Sequence, residues 1–155
     1  MRTDYHSHMS HEGWAHYATD RLIQTGHLRG AARADVIDLL SQQDCCLTTR
    51  EIADALHAQG KPTGVASVYR AVELLNQLGL IQRLDIGDGT ARYEPADPSG
   101  DHHHHLVCDR CGRVTAFEDA QLEQAISVLA ARVDHAIDAH DVILHGACPT
   151  CRPES

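Results

Sequence analysis

Aromatic side chains are scarce in this chain, which has one Phe and one Trp among 155 residues. A core of stacked rings is excluded, and any core must be aliphatic, built from Leu, Val, Ile and Ala. Long apolar runs are missing as well, and no stretch approaches the ~20 residues of a membrane span. Residues 1–16 are polar and His-rich, which excludes a secretory signal. A cytoplasmic protein is therefore expected, with neither a membrane nor a small organic substrate as its partner. Net positive charge is also lacking, the formal charge being −9. That weighs against nucleic acid, because phosphate contacts need local positive charge. The distribution softens the objection. Residues 1–95 hold 9 Lys/Arg against 12 Asp/Glu, and residues 96–155 hold 4 against 10. The acidic excess thus lies in the C-terminal part. The length suits one domain or two small ones, the second held by metal.

Cysteine is what the chain does have. Four of its six cysteines form two Cys-x-x-Cys knuckles, Cys108–Cys111 and Cys148–Cys151. Four thiolates fill a closed tetrahedral zinc site, and in a reducing compartment zinc is the better reading than disulfides. Cys45 and Cys46 are adjacent and are not expected to bond each other. A run of four histidines, His102 to His105, precedes the first knuckle. It has no place in a site already filled by sulfur, so a second metal position of imidazole and carboxylate is expected. One locked metal and one adjustable metal suggest a metal sensor.

Apolar spacing predicts helices over 14–25, 31–40, 50–59 and 65–78. Val36, Ile37, Leu39 and Leu40 face inward from the second. Thr48 or Thr49 caps the third, with Ile52, Ala55 and Leu56 on one face. The fourth carries Val65, Val68, Val72, Leu75 and Leu78 as its stripe and ends at Gly79. Strands are expected over 80–86 and 90–93, turning at Gly87-Asp88-Gly89. Three helices and a hairpin make a winged helix-turn-helix; a helical bundle without a DNA role is the plainer alternative. The Pro- and Gly-bearing stretch 95–101 reads as a linker. Beyond it, strands over 104–108, 113–117 and 138–145 and a helix over 120–133 give a small α+β domain. In that helix Leu122, Ile126, Leu129 and Val133 share a face. Zinc ties the last strand to the first. The domains are thus 1–94 (tail plus winged helix) and 102–155, joined by 95–101. The tail histidines His6, His8, His11 and His16 read as a polar tail, with extra metal capture as the alternative.

The 65–78 helix is the expected recognition helix, with Ala66, Ser67, Tyr69, Arg70 and Glu73 outside its stripe or at its flanks. Arg forks onto guanine or phosphate, and Ser and Tyr bond phosphates. Arg29 and Arg33 are placed for backbone or minor-groove contact. Tyr69 as a packing residue and Arg70 as a solvated or ion-paired side chain are the blander accounts.

The chain here resembles the ferric uptake regulator family of metal-dependent repressors, nearest its zinc uptake branch, over residues 28–152. The resemblance rests on Val65-Ala66-Ser67-Val68-Tyr69-Arg70, then His102-His103-His104-His105-Leu106-Val107-Cys108-Asp109-Arg110-Cys111-Gly112, then His140 and Cys148-Pro149-Thr150-Cys151. It implies a winged helix followed by a small α/β dimerisation domain. It also implies a homodimer that represses by binding palindromic double-stranded DNA when metal is loaded. Cys108, Cys111, Cys148 and Cys151 match the family's structural Zn2+ ligands. An interdomain regulatory site would combine His103 and His105 with Glu94. A further ligand falls at Cys46, where many iron and peroxide sensors have His. A thiolate there favours Zn2+ over Fe2+ as the regulatory ion. Cys46 is otherwise a small buried apolar residue; Cys45 is then the ligand, or neither is. A second site would use His102, His104, Glu123 and His140, against the alternative of an exposed Glu and a surface His.

An iron(II)-responsive or peroxide-sensing member of the family is the nearest alternative. A histidine-rich metal store or chaperone is another class, and it has no need of a winged helix. A zinc enzyme is disfavoured, since neither His-Glu-x-x-His nor His-x-Glu followed by Cys-x-x-Cys occurs.

Overall fold

The computed structural model of the chain describes residues 10–27, 30–98, 100 and 103–152. Arg29, His102 and the tail histidines His6 and His8 lie outside the described residues. The chain divides into two compact units, Met1–Asp101 and His102–Ser155.

The N-terminal unit opens with α1 (His11–Gln24), which starts three residues before the expected 14 because the Ser10 hydroxyl accepts from the Gly13 N–H at 3.1 Å. Next come α2 (Ala31–Ser41), β1 (Leu47–Thr48), α3 (Thr49–Ala58) and α4 (Val65–Gln77). Thr48 and Glu51 close a capping box at the start of α3, satisfying two otherwise orphaned N–H groups. Gly79 takes φ +67° just past α4, where its lack of Cβ lets the chain reverse into the hairpin. The hairpin is β2 (Ile81–Asp85) and β3 (Ala91–Pro95), and the sheet order is β1-β3-β2, all antiparallel. Val36, Leu40, Ile52, Leu56, Val68 and Leu75 are fully buried in one aliphatic cluster. Trp14 joins it and donates its indole N–H to the Leu80 carbonyl at 3.2 Å, fastening α1 to the base of the hairpin.

Two expectations need correction here. Val65 does not belong to the inward stripe of α4; it is 56% exposed, and Ala71 takes a buried place instead. Val65 is the first residue of the helix, before the stripe has turned to the core. The two-residue strand β1 was not expected, since two residues carry no periodicity; it exists as an edge partner for β3.

The C-terminal unit contains β4 (His104–Cys108), β5 (Val114–Phe117), α5 (Ala120–Arg132) and β6 (Ile143–Gly146). β4 is central, antiparallel to β5 and parallel to β6. The last strand begins at Ile143, not at 138. The charged and His-bearing residues before it form no ladder among the described residues. Asp119 caps α5 through the N–H groups of Gln121 and Leu122. No side chain of α5 is buried. The expected inward face of that helix is therefore not covered within one chain, and Leu129 and Val133 are exposed.

Candidate metal centres

The two knuckles meet. Register pairs Val107 with His145 and Cys108 with Gly146, so the strand ends that launch the knuckles lie side by side. Each knuckle turns on its own backbone bonds, Gly112 N–H to Cys108 C=O and Cys151 N–H to Cys148 C=O. The Arg110 guanidinium crosses between them and donates to the Cys151 carbonyl at 3.0 Å. The sulfurs of Cys108, Cys111, Cys148 and Cys151 all lie within 4.8 Å of one another. Cys111 and Cys148 are 3.8 Å apart at sulfur. A tetrahedron with Zn–S bonds of ~2.3 Å has an edge of ~3.8 Å, so the donor set fits zinc. N–H groups of Cys148 and Cys111 draw the Cys108 thiol down to about 6, whereas the neighbouring Cys148 and Cys111 thiols push Cys151 up to about 12. Four such crowded sulfurs ionise together only around a cation.

A second cluster lies in the same unit. His104 Nε2 is 2.6 Å from Glu123 Oε1, and His140 Nε2 is 3.1 Å from Glu123 Oε2. The two imidazoles sit 5.3 Å apart at their centroids, and Phe117 flanks His104 at 5.5 Å. β4 alternation separates the histidine run. His104 faces α5, while the His103 and His105 rings meet each other edge-on at 5.0 Å. Two imidazoles and a carboxylate within 4.8 Å can hold a divalent cation.

The third cluster belongs to the N-terminal unit. The β1–β3 register pairs Leu47 with Tyr93, so the next step brings Cys46 alongside Glu94. On the other side of β3, Glu94 pairs with Gln82. Gln82 donates its amide N–H to Glu94 Oε1 at 2.5 Å. Glu94 is only 1% exposed. Cys45, in the loop after α2, sets its sulfur 3.7 Å from that of Cys46. Cys45, Cys46 and Glu94 thus present two sulfurs and an oxygen within 4.8 Å of one another. The neighbouring Cys45 thiol, burial and the Glu94 charge all raise the Cys46 thiol far above its ordinary range. Sequence reasoning missed Gln82; its signal was its place directly across the strand from Glu94, which needs the register. Gln82 is itself exposed and holds the carboxylate in one orientation. In Gln82→Ala, the affinity of this cluster for a divalent ion should fall ~10–100-fold, the usual effect of losing a ligand's supporting hydrogen bond. Competition against a chromophoric chelator reads it, and an unchanged affinity would rule out the positioning role.

The described residues expected at a DNA surface are exposed or half-buried. Ala66, Tyr69 and Arg70 are exposed on the first two turns of α4, and Ser67 is half-buried there. Arg70 donates to the Ser67 hydroxyl at 3.2 Å. Arg33 of α2 lines one recess with Ser67 and Arg70, and Tyr69 lines another with Thr90 of the wing. The wing turn is pinned by an Arg92–Asp88 ion pair at 2.8 Å.

Comparison with known proteins extends these observations. The sequence pattern of the ferric uptake regulator family matches residues 25–145. A ferric uptake regulation protein of Legionella pneumophila is 33% identical over 121 residues, covering 77% of this chain and 88% of that protein. Among solved structures, the Vibrio cholerae ferric uptake regulator superposes with a TM-score of 0.73 at 28% identity, covering 84% of this chain and 98% of the other. The Helicobacter pylori ferric uptake regulator reaches 0.79 at 24% identity, covering 96% and 99%.

Proposed function

Because this chain belongs to the ferric uptake regulator family, we propose that it is a zinc-loaded, dimeric repressor of palindromic operators. As a family member it is a metal-responsive transcriptional regulator and not an enzyme. The finer reading is carried by one observation, the two sulfurs and one carboxylate that converge on the strand leading out of the wing. Three donors are one short of a tetrahedral zinc site. His103 and His105 of the C-terminal unit are the family's candidates to complete it. Thiolate donors favour zinc over iron(II) or manganese(II).

Zinc in the four-cysteine site fastens β6 to β4 and shapes the dimerisation unit. Leu106, Val128, Leu129, Val133, Ile137 and Leu144 of that unit are exposed in the single chain, which supports their burial against a second copy. A regulatory ion shared by the two units of each subunit sets the separation of the two recognition helices. Half-sites one helical turn apart, ~34 Å, accept only one such separation. Metal then acts by binding the DNA-competent arrangement more tightly than the others. On that arrangement Arg70, Tyr69, Ser67, Ala66 and Arg33 meet the duplex, as Arg29 does by the family resemblance. His104, Glu123, His140 and, by the same resemblance, His102 form a second position within the dimerisation unit.

The experiment is selection of bound fragments from sheared genomic DNA under anaerobic conditions, with chelator, zinc, iron(II) or manganese(II). Enrichment of a palindrome in zinc alone is expected. Enrichment in iron(II) alone would replace zinc with iron in this reading, and no enrichment in any metal would favour a metal store.

A further inference from the structure

The loop between α2 and β1 brings two sulfurs to a place where the family resemblance calls for a single ligand. We propose that Cys45 and Cys46 bind the regulatory ion together, as a chelating dithiolate closed by Glu94, so that this site selects a thiophilic divalent cation. The proposal rests on the metal-responsive reading above and deepens it.

The sulfur separation carries the argument. At 3.7 Å, the two sulfurs are much farther apart than the ~2.0 Å of a disulfide. They lie instead at the ~3.8 Å edge of a tetrahedron with metal–sulfur bonds of ~2.3 Å. The Cys111–Cys148 pair, in the four-cysteine cluster, shows nearly the same spacing, 3.8 Å. Glu94 stands within 4.8 Å of both sulfurs and is itself held by Gln82. Cys46 directly precedes β1 and Cys45 lies in the bend before it, so both sulfurs come from one short segment next to β3. Three donors from a single unit leave one position to fill, and one imidazole suffices. His103 and His105 are then not both required. Two soft thiolates disfavour iron(II), which prefers nitrogen and oxygen donors, and favour zinc or cadmium.

Cobalt(II) reports bound thiolates directly, through a near-ultraviolet thiolate-to-cobalt charge-transfer band that grows with the number of sulfurs. The full-length protein, keeping one zinc per chain in the four-cysteine site, is titrated with cobalt(II). The His104–Glu123–His140 cluster contains no sulfur and adds nothing to this band. With two thiolates bound, Cys45→Ser and Cys46→Ser should each retain about half of the wild-type band, and the double variant none. Zinc should displace the cobalt stoichiometrically. If Cys45→Ser keeps the full band, Cys46 is the lone sulfur ligand; the dithiolate is overturned and the metal-responsive reading stands. If the wild-type protein binds cobalt(II) without the band, no sulfur is a ligand; the dithiolate is overturned and the metal-responsive reading stands. If it binds no cobalt(II) beyond the histidine cluster, the regulatory site itself is overturned as well. Far-ultraviolet dichroism of each variant confirms that the helices of the N-terminal unit persist, and Cys45→Ala repeats the test without a hydroxyl.

Discussion

Cys111→Ser is expected to release one zinc per chain, unfold the C-terminal unit and leave a monomer. The reason is the weakness of that unit without metal. Among its described residues, Val107 and Cys108 are the only buried apolar side chains, and α5 buries none. The aliphatic cluster that stabilises the N-terminal unit has no counterpart there. Its two knuckles are joined by few direct bonds, among them Arg110 to the Cys151 carbonyl and the Cys148 N–H, which donates to the Cys108 sulfur at 3.3 Å, so the ion is expected to supply the main tie. Structural zinc supplies ~10–16 kcal/mol in comparably small folds. Serine is a poor zinc ligand, and the three remaining thiols are too crowded to ionise together without the ion. Sedimentation together with metal analysis reads the outcome, and the winged helix should keep its helical dichroism. A zinc-free Cys111→Ser dimer with native dichroism would contradict the account.

Glu94→Ala is the second large effect. Among the described residues, Glu94 is the only carboxylate of the proposed regulatory cluster, and it is almost fully buried. Its loss removes the anionic oxygen donor, and the expected fall in zinc affinity is at least ~100-fold, beyond the range for a supporting hydrogen bond. Metal-dependent DNA binding should be lost at zinc concentrations that saturate the wild type. The fold should survive. The core cluster does not include Glu94, and Gln82, its partner, is exposed and regains water. His103→Ala tests the contribution of the other unit, and a full zinc response in Glu94→Ala would show that the site is misassigned.

Much of this architecture is legible in the sequence. The stripes in α2, α3 and α4 follow from apolar residues recurring at helical spacing, and the wing from Gly87-Asp88-Gly89 between short strands. Cys-x-x-Cys spacing is a local signal, so the knuckles needed no fold to be recognised. The illegible parts depend on register and on tertiary packing. Gln82 acquires its role only through its pairing with Glu94. Cys45 gains significance from a 3.7 Å separation that two adjacent residues need not adopt. Glu123 and His140 lie 17 residues apart, and convergence of α5 with the chain before β6 brings them together. The stripe of α5 follows the spacing of a packed helix, yet none of its side chains is buried in this chain. Periodicity reports that a face is apolar, not which chain covers it.

Reciprocal linkage tests the central claim, that metal gates DNA affinity. Zinc affinity of the full-length protein is measured by chelator competition, with and without a saturating palindromic fragment from the genomic selection. If zinc tightens DNA binding by some factor, DNA must tighten zinc binding by the same factor. The account predicts equal factors in the wild type and none in Glu94→Ala. DNA bound equally well with and without zinc, with zinc affinity unmoved by the duplex, would contradict it.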